Sequence, residues 1–214
     1  MQTVAALFVE TGGIYYQRAG VEPWDKNADA RRYGGPFPVV AHPPCERWGR
    51  YARGGPNPHA RRREIGDDAG CFQAAFGAVR RFGGVIEHPE ASHAWRHYGI
   101  PAPPRAGGWV FIGHAEPDWG RRLTEWTCCV EQGHYGHRAR KATWLYCVGV
   151  DTPPDLIWGP SAGERLDEGF HSREERAAAR AAGRAPIKRP SAKENAATPP
   201  AFADLLISLA RGAR

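Results

Sequence analysis

A chain of 214 residues can bury one proper core, with a small appendage at most, and is too short for two full domains. Its hydrophobic share of 42%, with 8 Trp, excludes a disordered polymer, and no apolar run is long enough to span a bilayer. The 29 Lys+Arg against 23 Asp+Glu leave a net charge of +6, which favours a polyanionic partner such as nucleic acid, an Arg-rich compositional bias being the plain alternative.

Residues 3–9 read as a buried strand running straight into Glu10-Thr11-Gly12-Gly13. A second apolar run at 37–41 ends at His42-Pro43-Pro44-Cys45, and an Arg- and Gly-rich loop follows over 46–63. Helical spacing over 67–81 places Cys71, Phe72, Ala75, Phe76 and Val79 on one face. Gly83-Gly84 stops that helix, and Val85-Ile86 begins a strand that ends at Glu87-His88-Pro89. Residues 101–122 read as a Pro-, Gly- and Trp-rich loop, and 127–130 and 142–150 as strands. The charged helix predicted at 172–184 has no apolar face, so it is solvated or lies against a partner. The last helix, 199–211, is amphipathic, with Phe202, Leu205, Leu206 and Leu209 on one side. Strands alternating with helices imply an α/β sheet.

The cysteines are Cys45, Cys71, Cys128, Cys129 and Cys147. An odd count, without a Cys-x-x-Cys pair or a secretory leader, argues against a disulfide framework and for a reducing, cytoplasmic setting. Cys128, Cys129, His134 and His137 cluster, and His42, Cys45 and His88 are positioned to converge. Adjacent cysteines on a strand point to opposite faces, however, so no metal site is expected.

Three motifs carry chemistry. His42-Pro43-Pro44-Cys45 directly follows a strand, so the prolines hold a thiol at the tip of the sheet. Glu87 follows a β-branched run, at the carboxyl end of a strand on the same rim. Arg138 and Arg140 alternate in an extended segment and face one side, where two guanidiniums would hold a phosphate, a base carbonyl or the carboxylate. Taken singly, each has a plain alternative: a buried Cys beside a proline turn, a solvated strand-end Glu, and a basic rim on an edge strand.

In order along the chain these motifs resemble those of cytosine-5 DNA methyltransferases. Leu7-Phe8-Val9-Glu10-Thr11-Gly12-Gly13 is similar to the family's Phe-x-Gly-x-Gly loop. Residues 19–25 resemble the next segment, where an acid holds the cofactor ribose and a bulky residue covers adenine. His42-Pro43-Pro44-Cys45 resembles the nucleophile motif, Glu87-His88-Pro89 stands where Glu-Asn-Val does, and 136–140 resembles Gln-x-Arg-x-Arg. The similarity covers about residues 3–150 and again 195–211.

The resemblance implies a compact Rossmann-like α/β sheet of methyltransferase type, with one or two strands missing. It divides the chain into a core over 1–150, a polar Pro-rich insertion over 151–197, and a C-terminal helix over 198–214 returning to the core. It implies a cytosine-5 methyltransferase-like enzyme acting on a flipped cytosine of nucleic acid, DNA favoured, with S-adenosylmethionine as cofactor. Cys45 attacks carbon 6, Glu87 holds and protonates the ring, and Arg138 and Arg140 bind the target nucleotide. Phe8, Gly12, Gly13, Trp24 and Asp25 line the cofactor cleft, and His42, Pro44, Arg47, His88 and Lys141 surround the substrate. Positive charge from His42, Arg47 and Arg50 is expected to depress the Cys45 thiol pKa.

The departures matter equally. Glu10 stands in place of the loop's first Gly, His88 in place of the Asn and Gly136 in place of the Gln. The stretch between Phe8 and Cys45 is too short for a full first helix and two further strand units. The same thiol chemistry with another donor or none, and a non-catalytic nucleic-acid-binding module, are the alternatives.

Overall fold

The computed structural model describes residues 1–50, 52, 64–117, 120–163, 173–183, 191, 194 and 196–213. Most of the Arg- and Gly-rich loop lies outside these residues, as do Ser172 and Arg184, the predicted bounds of the charged helix. The strands are β1 (Val4–Leu7), β2 (Val21–Trp24), β3 (Val39–Ala41), β4 (Gly84–Pro89), β5 (Val110–Ala115), β6 (Leu123–Glu131) and β7 (Ala142–Val148). The helices are α1 (Cys71–Phe82), α2 (His93–His97), α3 (Arg173–Ala181) and α4 (Pro200–Arg211).

The chain forms an α/β structure around one seven-stranded mixed sheet of order β2-β1-β3-β4-β7-β6-β5. β2, β1, β3 and β4 run parallel, while β7, β6 and β5 add as an antiparallel meander. β1 and β3, inside the parallel half, are continuously apolar because both faces are covered. Ala5, Leu7, Val39, Ala41 and Ile86 point to the α1 side, where Phe72, Ala75 and Val79 meet them. Val4, Ala6, Val40 and Val85 point to the other side, against Phe202, Leu206 and Leu209 of α4. α4 is also tied down at its ends: Arg18 pairs with Asp204 at 2.6 Å, and Arg211 donates to the carbonyls of Gln2 and Ala19. Gly84 allows β3 and β4 to meet, since a Cβ there would lie 1.9 Å from the Val39 carbonyl.

Two strands depart from the expected pattern. β2 is a short edge strand holding Pro23, which suits an edge because proline has no amide to pair. β5 lies inside the stretch predicted as loop, with its register shifted between Phe111 and Gly113. Proline in the first and a bulge in the second break the two-residue period that betrays a strand.

The chain leaves β1 to one side to form β2, then returns to the other side of β1 to form β3. That reversal opens a crevice at the carboxyl ends of β1 and β3, where open α/β sheets place their ligands. The loops over 8–13 and 42–49 flank it. No helix among the described residues is long and apolar enough to cross a membrane.

Candidate functional site

Parallel pairing aligns Val40 with Val85 and Ala41 with Ile86, so His42 and Glu87 fall side by side on the α4 face. A chain of hydrogen bonds runs through them. Tyr15 Oη lies 2.7 Å from His42 Nε2, and His42 Nδ1 lies 2.9 Å from Glu87 Oε2. Gln132 Nε2 donates to Glu87 Oε1 at 3.0 Å and to Thr143 Oγ1 at 2.9 Å. Every proton finds an acceptor if Tyr15 donates to Nε2 and the Nδ1–H of neutral His42 donates to Glu87. Burial holds the Tyr15 hydroxyl well above its ordinary pKa, consistent with a neutral donor.

Glu87 is 9% exposed, and burial alone would raise its pKa. The His42 hydrogen bond, with the positive charge of Lys141 beyond, outweighs this and lowers it to about 2. The carboxylate is therefore an anion through the physiological range. At rest Glu87 thus offers a fixed negative charge, and a proton that it passes to the ring has to be taken up first.

Cys45 is exposed on the loop that leaves β3, and its carbonyl accepts from the amides of Trp48 and Gly49 at 3.1 and 2.7 Å. Its thiol pKa is raised, not depressed, by partial burial and then by Glu87, with Lys141 pulling the other way. The predicted activation by His42, Arg47 and Arg50 fails for definite reasons. Both His42 nitrogens are engaged, Arg50 reaches Glu90 at 3.4 Å, and the nearby anion is the stronger influence. Cys45 is still the most accessible thiol. Cys71 is half-buried, Cys128 is buried and raised well above the ordinary value, and burial puts Cys129 at about 11 and Cys147 at about 12. Iodoacetamide with peptide mapping is expected to label Cys45 first, Cys71 more slowly and the other three only on unfolding. Labelling of Cys71 or Cys147 with Cys45 inert contradicts the assignment.

His88 is not at the substrate face. It follows Glu87 by one residue and points to the α1 side, fully buried, edge-on to Phe72 at 5.3 Å. Among the described residues neither ring nitrogen meets a partner in good hydrogen-bond geometry, although the Pro44 backbone is near enough to act on the ring, and burial lowers its pKa to about 4 from an ordinary 6.5. Between those values the unfolded chain holds a proton that the folded chain rejects, so stability falls as pH drops from 6.5 towards 4. The loss is on the order of 3 kcal/mol. Urea melts at pH 7 and pH 4.5 are expected to show it, and His88→Leu to flatten the dependence. Equal slopes for both proteins contradict this role.

The cationic residues divide. Lys141 is half-buried and acts electrostatically on both Cys45 and Glu87. Arg140 instead donates Nε to the Gly163 carbonyl at 3.2 Å, so it braces the segment after β7. Arg138 is exposed beside the buried Ala139, and Pro44 is exposed beside Cys45. Arg47 is half-buried, its carbonyl accepting from the Gly66 amide. The sequence reading missed Tyr15, Gln132 and Thr143, whose roles arise from contacts between distant segments.

On the β1 side, Phe8 has φ +59 and its amide donates to the Trp24 carbonyl at 2.9 Å. Gly12 has φ +70 with open space around it, and Gly13 packs on the Glu10 carbonyl. Asp25, predicted to hold a cofactor, is 4% exposed and already saturated. It accepts from Thr11 and Tyr16 hydroxyls and from the Asn27 and Ala28 amides, which hold its carboxyl below the ordinary range. Asp25 is a knot between two loops. Trp24 donates to Glu22 at 2.6 Å and stands edge-on to Tyr33. Glu10 needs a nearby cation if it is to face an anionic ligand, and Arg18, eight residues on, is committed to Asp204 at 2.6 Å. The first turn after the loop is a 3-10 helix over Ile14–Gln17, not a full α-helix.

No grouping of three His, Cys, Asp or Glu side chains suited to a metal occurs among the described residues. No family model matches the chain, and no curated protein matches it in sequence.

Proposed function

We propose that this chain modifies cytosine in nucleic acid through a covalent adduct of Cys45, as a compact, divergent relative of the cytosine-5 methyltransferases with a strand missing beyond β2. The observation that supports this best is the pairing of one exposed thiol with one fixed carboxylate. Cys45 lies on the loop that leaves β3, Glu87 is the first residue of β4 beyond its pairing with β3, and Lys141 acts on each. A hydrolytic Cys–His pair is disfavoured, because Tyr15 occupies the imidazole nitrogen that such a base would use.

In this mechanism the Cys45 sulfur forms a bond to carbon 6 of a flipped cytosine, the thiol proton leaves, and ring nitrogen 3 gains a proton. The net step is addition of S–H to the ring, so it needs no external acid. Glu87, held as an anion, accepts from the exocyclic amine and stabilises the protonated nitrogen. Carbon 5 becomes electron-rich and forms a bond to the electrophilic carbon of a donor, whose leaving group departs with the electron pair of the bond that breaks. The carbon-5 proton is then lost to solvent, the carbon–sulfur bond breaks with its electron pair going to Cys45, and the nitrogen-3 proton returns to the sulfur, which restores the aromatic ring and the thiol.

The residues predicted to hold S-adenosylmethionine fit it poorly. Asp25 is used up, Glu10 has no neutralising Arg18, and the cradle helix is a single 3-10 turn. These observations favour the second reading, in which the same adduct serves another donor or none. The test is nucleoside mass analysis of DNA and RNA from cells expressing the protein, alongside calorimetry with S-adenosylmethionine. A new cytosine derivative with micromolar binding supports the first reading, and a derivative without binding supports the second. Unmodified nucleic acid that the protein still binds leaves only a binding module.

A further inference from the structure

A hollow of about 560 Å³ lies between the loop that carries Cys45 and helix α2, lined by Arg50, Ile65, His93, Arg96 and His97. Each wall continues from a proposed catalytic residue: Arg50 follows Cys45 on its loop, and α2 follows Glu87 after β4. The two are bonded together, the His93 amide donating to the Trp48 carbonyl at 2.8 Å.

The floor is rigid. Trp48 is 2% exposed, donates its indole N–H to Asp68 at 2.8 Å and packs against Phe72, His97 and Tyr98. Ile65 packs on the same core and gives the hollow one apolar wall. Among the described residues no carboxylate lines it; Glu90 pairs with Arg50 at 3.4 Å and with Arg105 at 3.4 Å. Arg96 has no ion-pair partner among the described residues, and Arg50, His93, Arg96 and His97 are all exposed.

We infer that this hollow seats a backbone phosphate of the nucleic-acid strand whose cytosine enters the Cys45–Glu87 crevice, with the adjoining sugar against Ile65. The inference rests on the reading above, and gives the strand a place. Guanidinium groups from two walls suit the tetrahedral oxygens of a phosphodiester, and the imidazoles add N–H donors. Anchoring the strand on the loop that carries the nucleophile aligns the flipped base with the thiol, because Arg50 and Cys45 share one short segment.

The test is fluorescence anisotropy of a labelled cytosine-containing single-stranded DNA over a salt series, with nucleoside mass analysis of DNA and RNA from cells that express the same proteins and so supply any donor. The proteins are wild type, Arg50→Ala/Arg96→Ala, and Arg122→Ala. Arg122 is exposed, pairs with Glu116 and precedes β6 at the opposite rim, so it serves as the control. Both arginines of the double variant are surface groups, and a thermal melt checks that it folds. The double variant is expected to bind about tenfold or more weakly, with the slope of log affinity on log salt reduced by about one, while the control is unchanged. Equal affinity and slope in the double variant and wild type overturn the phosphate seat and leave the Cys45 reading standing. Arginine-dependent binding without modified cytosine supports the seat and overturns the transfer reaction. A wild type that binds no strand at any salt overturns both.

Discussion

Replacing Cys45 by serine is expected to reduce cytosine modification by roughly 10⁴-fold or more, with little change in stability. A serine hydroxyl is a far weaker nucleophile than a thiol, and nothing in the crevice activates it, since both His42 nitrogens are engaged. Cys45 is exposed, so its removal opens no cavity and breaks no buried contact. Nucleoside mass analysis after incubation with the variant, beside its thermal melt, checks the result. A folded Cys45→Ser protein that still modifies cytosine rules out the adduct. The other four cysteines, mutated singly to serine, should leave the modification intact wherever the protein folds.

Glu87→Gln is expected to slow modification by roughly 10²- to 10⁴-fold, because the anion that stabilises a protonated ring nitrogen is gone while its shape is kept. The same change should increase alkylation of Cys45. Glu87 is a cause of the thiol's raised pKa, so removing its charge increases the thiolate fraction at neutral pH. A merely structural role for Glu87 would not move those two readouts in opposite directions. If the alkylation rate is unchanged, Glu87 does not act on the thiol. The wild-type carboxylate, lowered to about 2, contributes stability above its ordinary value of 4.5 that is lost as pH falls towards 2. His42→Ala should move that loss to higher pH, because it removes the hydrogen bond that is the first of the lowering influences.

Local pattern made much of this molecule legible. The unbroken apolar runs of β1 and β3 announced strands buried on both faces, and the helical spacing of Cys71, Phe72, Ala75, Phe76 and Val79 announced α1. The apolar side of the last helix foretold its burial. Position alone placed Cys45 after one apolar run and Glu87 late in another, but it also put His88 beside the substrate, whereas the pleat turns it to the α1 face. Strand pairing and packing decided the rest. Whether His42 meets Glu87 depends on the register of β3 against β4, and Tyr15 and Gln132 reach that pair from segments far apart in the chain. Asp25 reads as a free carboxylate until Thr11 and Tyr16 are seen to close on it. The charge on Glu87 and the pKa of Cys45 follow from those contacts, because burial and neighbouring charges are set across the sheet. Periodicity is a property of consecutive residues and survives in the sequence, whereas a thiol's environment exists only once distant strands have paired.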